Sequence, residues 1–219
     1  TSRSVAKSIV ATLIGVAIHQ GKIKSVDDPI IQYLPDLKGT AWEKVSLKQL
    51  LQHTSGVEWN ENYKDPNSDF AKMTYCEAAN DPDACVYKNV KNLKAKYEPG
   101  TVWSYSTGGA YLVGKVLEAA THQNIAKYLE DNVWKRVGME REGVWQSYTR
   151  NQVDMGGHGF NATLRDYARF GQFILNEGRV SNGDKMLPDG WTAQATKWNQ
   201  AKGSVSENYP KGIYGFQWW

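Results

Sequence analysis

Hydrophobic residues recur every three to four positions along most of the chain, which is the spacing of amphipathic helices. The first such run covers residues 9–18 and predicts a helix of about four to five turns at ~3.6 residues per turn. Gly21 follows this run and suits the left-handed conformation that ends many helices. The same spacing predicts further helices over residues 46–53, 108–120, 125–137, 164–176 and 188–198.

Residues 57–101 lack a sustained period and are rich in Asn, Asp, Pro and Lys. We expect a long excursion here, with short helices over residues 68–79 and 88–95. Long irregular segments in compact domains often form functional walls or lids. We therefore expect residues 57–98 to form part of a substrate groove.

Strand signals are few, so the chain is predicted to be mainly helical. Residues 101–105 look extended after the turn at Pro99 and Gly100, and residues 214–219 read as the start of an apolar strand. The chain begins close to its first helix and ends on this apolar stretch, whereas natural termini are usually polar. We therefore expect sequence to be missing at both ends.

The composition limits the function without naming it. The chain has 219 residues, 41% of them hydrophobic and 22% charged, which is typical of a globular protein of one large or two small domains. The net charge is +3 and the basic residues are scattered, so nothing indicates nucleic-acid binding. No apolar stretch reaches the ~18 residues that a membrane span requires.

Two cysteines, Cys76 and Cys85, lie close together in a polar segment. They could close a small surface loop as a disulfide, which would place the protein in the periplasm or outside the cell. Two free thiols are the alternative. No histidine or further cysteine completes a metal-binding set beside them.

Ser4 and Lys7 lie three positions apart at the start of the first helix, and therefore on one face. A serine hydroxyl becomes a nucleophile when a neighbouring base takes its proton, and burial can keep a lysine neutral enough to be that base. The same pattern also fits a serine that only caps the helix and a lysine exposed to solvent.

Other common catalytic motifs are missing. The sequence contains no Gly-x-Ser-x-Gly and no His-Glu-x-x-His. A Gly-x4-Gly-Lys run ends at Lys115, but Val116 replaces the Ser or Thr that would hold Mg²⁺ in a nucleotide-binding loop. We therefore expect neither a metal nor a cofactor.

Two further segments support a role for Ser4. Tyr105 follows the extended segment and could present its hydroxyl in a cleft as a proton relay, or it could pack beside Trp103. His53 ends a predicted helix and is interpreted as a loop organiser rather than a base.

Four segments in this order resemble the serine β-lactamase and penicillin-binding protein family. The class C-like branch fits in particular, with its family VIII esterases, D-aminopeptidases and 6-aminohexanoate-dimer hydrolases. The segments are Ser4-Val-Ala-Lys7, Leu-Leu-Gln-His-Thr-Ser-Gly at residues 50–56, Pro-Gly-Thr-Val-Trp-Ser-Tyr-Ser at residues 99–106, and Gly-Gly-His-Gly-Phe-Asn-Ala-Thr-Leu-Arg-Asp-Tyr-Ala-Arg-Phe at residues 156–170.

This resemblance implies an α+β fold of the β-lactamase/DD-peptidase type, in which helices flank an antiparallel sheet. Residues 1–219 would form a single catalytic domain that is incomplete at both ends. Most of the sheet would lie outside the chain, which leaves it mainly α.

The resemblance also implies roles for individual residues. Ser4 would be the acylated nucleophile, Lys7 its base and Tyr105 a proton relay. Thr107, Gly157 and His158 would contact the substrate. Thr107 stands where β-lactamases have the Asn of Tyr-x-Asn, and its smaller side chain favours esters or simple amides over β-lactams.

We therefore expect a serine hydrolase that forms an acyl-enzyme with a small-molecule ester, amide or peptide. The alternative is a penicillin-binding sensor or a peptidoglycan-binding protein that is acylated without turnover. A third reading is a helical interaction module in which Ser4 is only a cap. The oligomeric state cannot be read from the sequence.

Overall fold

The computed structural model describes residues 2–148, 153–199, 201, 203–205 and 214–219. Within these residues the chain is predominantly helical, as predicted. The α-helices are α1 Val5–His19, α2 Leu47–Leu51, α3 Asp69–Tyr75, α4 Pro82–Lys91, α5 Thr107–Thr121, α6 Ile125–Leu129, α7 Lys135–Val137, α8 Leu164–Leu175 and α9 Trp191–Thr196.

The strands of the described residues are short and occur in pairs. Strand β1, Val102–Trp103, pairs in parallel with β6, Gly203–Ser204. The other two pairs are antiparallel and join β2 Val144–Trp145 to β5 Phe160–Asn161, and β3 Ser147–Tyr148 to β4 Val153–Asp154. The architecture is therefore α+β with little sheet.

Helix α1 is the centre of the hydrophobic core. Its buried residues run almost without a break from Ala6 to Ala17, so it is apolar all round, as expected of a helix enclosed by others. It packs against α5 and α6. At Gly15 an added Cβ would lie 2.5 Å from the Trp191 ring, so this glycine permits the close approach of α9.

Most predicted helix ends are explained by capping. Ser46 caps α2 in a capping box with Gln49, and Ser106 caps α5 by accepting a hydrogen bond from Gly109 N at 2.9 Å. The helix predicted over residues 125–137 is continuous, with a π-helical stretch, Glu130–Trp134, between α6 and α7.

The structure corrects three predicted elements. The helix expected over residues 88–95 is α4, which starts earlier because Asp81 caps it and Pro82 occupies its first turn. The last helix is shorter than residues 188–198. Residues 214–219 form bends rather than a strand, since the N–H groups of Phe216 and Gln217 donate to the carbonyls of Ala195 and Leu51.

The predicted disulfide cross-links the irregular segment at residues 57–98. Cys76 follows α3 in a 3-10 turn, Cys85 lies in α4, and the two sulfurs are bonded with their Cα atoms 5.5 Å apart. The short helix expected over residues 68–79 is confirmed as α3 with this turn. Within the part of the chain that the structure describes, no helix combines the length and hydrophobicity that a membrane span requires.

Candidate active site

Ser4 and Lys7 meet at the first turn of α1. Ser4 occupies the N-cap position, but its side chain makes no capping hydrogen bond. Instead, Lys7 Nζ lies 3.2 Å from Ser4 Oγ. The half-buried hydroxyl is therefore directed to the amine rather than to the backbone of its own helix.

Lys7 is enclosed by groups from distant parts of the chain. Only 1% of its surface is exposed, and its Nζ lies 3.2 Å from Thr107 Oγ1 and 2.7 Å from the carbonyl oxygen of Gly157. Burial lowers the pKa of Lys7 to about 8, although the charge of Glu61 acts in the opposite direction. A substantial fraction of the amine is therefore neutral near pH 8, as a base requires.

Tyr105 lies beside Lys7. Lys7 Nζ is 5.2 Å from the centroid of the Tyr105 ring, and the residue is 2% exposed. The rings of His53 and Trp219 pack on it at centroid distances of 4.7 Å and 5.8 Å. The Tyr105 ring therefore packs in an aromatic cluster next to the amine.

His53 connects the end of α2 to the segment that bears Tyr105. Its backbone has φ 56°, its carbonyl accepts from Ser104 N at 2.8 Å, and its Nδ1 accepts from Ser106 N at 3.4 Å. Burial, with a smaller effect of the Lys7 charge, holds the pKa of His53 well below its usual value. These contacts fit the interpretation of His53 as a loop organiser.

The Gly-Gly-His-Gly loop supplies the other wall. A Cβ at Gly157 would lie 2.9 Å from Thr107 Cγ2 and 3.7 Å from Lys7 Nζ, so a larger residue would disturb both. His158 lines the same cavity as Ser4. Burial, followed by the charges of Lys7 and Arg3, lowers the pKa of His158 to about 4, which makes it a neutral contact at physiological pH.

Glu61 is a site residue that the sequence analysis missed. This buried carboxylate accepts hydrogen bonds from Thr107 N at 2.8 Å and from Thr107 Oγ1 at 2.5 Å. Trp59 Nε1 and the Tyr63 hydroxyl also donate to it. Its segment has no hydrophobic periodicity, so nothing in the local sequence distinguishes Glu61 from the acidic residues around it.

A cavity of about 580 Å³ opens beside Ser4 and Lys7, whereas Glu61 and Tyr105 line a separate cavity. Ser4, Lys7, Thr107 and His158 line one side, and the excursion contributes Tyr63, Phe70, Thr74 and Glu77. Its size is that of a small-molecule site, which typically measures ~300–1,000 Å³. Among the residues that the structure describes, no three acidic, histidine or cysteine side chains converge to bind a metal.

Known proteins resemble this chain in sequence. The sequence matches the Beta-lactamase family over residues 2–219. It is 26% identical over 232 residues to a 6-aminohexanoate-dimer hydrolase of Paenarthrobacter ureafaciens, covering 99% of this chain and 56% of that protein. It is 26% identical over 158 residues to a Beta-lactamase of Pseudomonas fluorescens, covering 72% of this chain and 39% of that protein.

A solved structure confirms the predicted α+β fold class. It belongs to a Bacillus anthracis protein provisionally named a 6-aminohexanoate-dimer hydrolase, and it matches with a TM-score of 0.80 at 25% identity. The match covers 100% of this chain and 57% of that protein. The chain thus spans about half the length, or less, of these three relatives.

Proposed function

The chain belongs to the Beta-lactamase family, and we propose that the protein is a serine hydrolase that cleaves an ester or amide through an acyl-enzyme on Ser4. The observation that supports this most strongly is the 3.2 Å contact between Ser4 Oγ and the buried amine of Lys7. A hydroxyl beside a base of pKa about 8 is an activated nucleophile.

In the proposed reaction Lys7 takes the proton of Ser4 while Ser4 Oγ attacks the substrate carbonyl. The tetrahedral intermediate then collapses, and the leaving alcohol or amine receives a proton relayed by Tyr105. Water next attacks the acyl carbonyl and gives up a proton to the relay through Tyr105. The carboxylic acid leaves, and Ser4 Oγ takes a proton back from the relay, which restores its hydroxyl. No metal or redox partner is needed to balance these steps.

The substrate we propose is a small acyclic ester or amide. The Paenarthrobacter relative is named for hydrolysis of 6-aminohexanoate dimer, and the Pseudomonas relative is a Beta-lactamase. Thr107 occupies the place of the Asn in the β-lactamase Tyr-x-Asn pattern, and its hydroxyl already contacts Lys7 and Glu61. A carboxamide that could bind a β-lactam amide is therefore replaced, which favours simpler substrates.

The same proposal assigns residues 57–98 to the substrate groove, because Tyr63, Phe70 and Thr74 line the cavity beside Ser4. It also places the protein in the periplasm or outside the cell. The Cys76–Cys85 disulfide is compatible with an oxidising compartment, where such bonds persist.

A substrate panel tests this function. Purified wild-type protein is assayed with nitrocefin, short p-nitrophenyl esters, D-Ala-D-Ala peptides and 6-aminohexanoate dimer. We expect turnover of an ester or amide that is lost in Ser4→Ala and retained in Ser8→Ala, whose hydroxyl donates to Gln217 O instead. Turnover that survives in Ser4→Ala would contradict the proposal. Acylation without turnover would favour the sensor.

A further inference from the structure

The hydrogen bonds of Lys7 Nζ define where its lone pair can point. A neutral amine has two N–H donors and one lone pair, and Nζ has three neighbours, Ser4 Oγ, Thr107 Oγ1 and Gly157 O. A backbone carbonyl can only accept, so one N–H is directed to Gly157 at 2.7 Å. The remaining N–H and the lone pair are shared between the two hydroxyl groups.

Glu61 determines which hydroxyl group receives the second N–H of Lys7 and which one faces the lone pair. A carboxylate is an acceptor only, so the 2.5 Å bond between Thr107 Oγ1 and Glu61 Oε1 requires the threonine to donate its hydrogen. Thr107 Oγ1 can then only accept from Lys7. Both N–H groups of the neutral amine are thereby used, and the lone pair is left facing the hydroxyl hydrogen of Ser4.

We propose that Glu61 is a positioning residue that acts through Thr107 to aim the lone pair of Lys7 at the Ser4 proton. This inference rests on the proposed function, because it describes how that base is oriented. It also gives Thr107 a role other than substrate contact.

The orientation of the Glu61 carboxylate is itself fixed. Oε2 accepts from the backbone N–H of Thr107 at 2.8 Å and from Trp59 Nε1, and both of these groups can only donate. Oε1 accepts from Thr107 Oγ1 and from the Tyr63 hydroxyl at 3.0 Å. Among the partners that the described residues supply, Oε2 therefore faces fixed donors and Oε1 faces rotatable hydroxyl groups.

Glu61→Gln should reverse one hydrogen bond while preserving the shape of the side chain. The amide oxygen must take the Oε2 position, since both partners there are N–H donors. The NH₂ group then donates to Thr107 Oγ1, and the threonine hydrogen turns towards Lys7 Nζ. It competes with Ser4 for the lone pair, so proton abstraction should slow.

The experiment compares acylation rates of wild type, Glu61→Gln and the matched control Glu58→Gln by a fluorophosphonate across about pH 6–10, a range that brackets shifted lysine pKa values. Glu58 lies in the same segment, but its side chain is exposed, pairs with Lys96 and does not line the cavity beside Ser4. We expect the high-pH plateau rate of Glu61→Gln to fall on the order of 10- to 100-fold, within what general-base catalysis contributes. Glu58→Gln should match wild type.

A purely electrostatic role for Glu61 gives a different result. Its charge raises the pKa of Lys7. Removing that charge alone would therefore shift the rise of the acylation rate to lower pH and leave the plateau rate at high pH unchanged. That outcome would overturn the proposal. Persistent labelling of Ser4→Ala would instead refute the proposed function itself.

Thr107 variants test the same hydrogen-bond chain independently if Glu61→Gln fails to fold. Thr107→Ser retains the hydroxyl and should lose much less of the plateau rate than Thr107→Val, which should lower it by a similar factor to Glu61→Gln. In the Thr107→Val background, Glu61→Gln should add little, since the two act through one hydroxyl. A Thr107→Val plateau equal to that of wild type would overturn the orientation argument.

Discussion

Lys7 and Thr107 lie 100 positions apart in sequence, and 3.2 Å separates Lys7 Nζ from Thr107 Oγ1. The contact forms where the first turn of α1 meets the first turn of α5. Ser4 and Lys7 come from one helix, whereas Thr107, the second hydroxyl group beside the amine, comes from the other. The chemistry of the site therefore depends on how these two helices pack.

The pH dependence of acylation should report the titration of Lys7. Burial lowers the pKa of Lys7 to about 8, and only the neutral amine is a base. The acylation rate should thus rise with pH and reach half its plateau near pH 8. Lys7→Arg should be inactive at every pH, because a guanidinium is not deprotonated in proteins. A flat wild-type profile across this range would exclude Lys7 as the base.

Gly157→Ala should slow the acylation of Ser4 markedly, although the protein should still fold. The new Cβ would lie 2.9 Å from Thr107 Cγ2, so Thr107 or the loop must move away from Lys7. Overpacking of this kind typically costs ~1–3 kcal/mol, which urea unfolding measures, while labelling reports the loss of rate. Gly171→Ala is the control, since nothing lies within 4 Å of its Cβ position, and it should leave labelling unchanged. Equal labelling of the two variants would contradict the prediction.

Replacing both Cys76 and Cys85 by serine should lower the free energy of unfolding by roughly 2–3 kcal/mol, the loop-entropy value for a closure this short. The bond spans a sequence separation of 9 residues. Because neighbouring Thr74 and Glu77 line the cavity, we also expect KM to rise more than kcat falls. A reductant should destabilise wild type and leave the double variant unaffected; equal stability of reduced and oxidised wild type would refute the bond's contribution.

His158 should make stability depend on pH below neutrality. Its pKa is lowered to about 4 in the folded state, against 6.5 when unperturbed, so the unfolded state binds more protons between these values. This contribution to the free energy of unfolding is fully present above about pH 6.5 and is lost as pH falls towards 4. His158→Gln should flatten that part of the curve in urea unfolding. An unchanged slope would show that His158 is not the titrating group.

The parts of the site that could be predicted are those encoded locally. Ser4 and Lys7 lie one helical turn apart, so helical periodicity alone places them on one face. Thr107 follows Tyr105 at a strand-to-helix junction, and the Ser106 cap fixes that junction. Helical spacing therefore predicted the pairing of Ser4 with Lys7, whereas the assignment of Thr107 to the site came from the resemblance to the family.

Glu61 could not be predicted, because its role arises from tertiary contacts. It belongs to an excursion without periodicity, and only the folded chain brings its carboxylate to the N-terminal turn of α5. The strand predicted at residues 214–219 was wrong for a similar reason. Their apolar composition indicates a strand, but the N–H groups of Phe216 and Gln217 find partners in α9 and α2 instead.

Mass spectrometry of a fluorophosphonate adduct shows whether Ser4 becomes acylated. The protein is incubated with a fluorophosphonate, and the adduct is located by intact-mass analysis and peptide mapping. We expect one adduct on Ser4, formed faster as pH rises through about 8 and absent in Ser4→Ala and Lys7→Arg. An adduct on another residue, or undiminished labelling of Ser4→Ala, would contradict it.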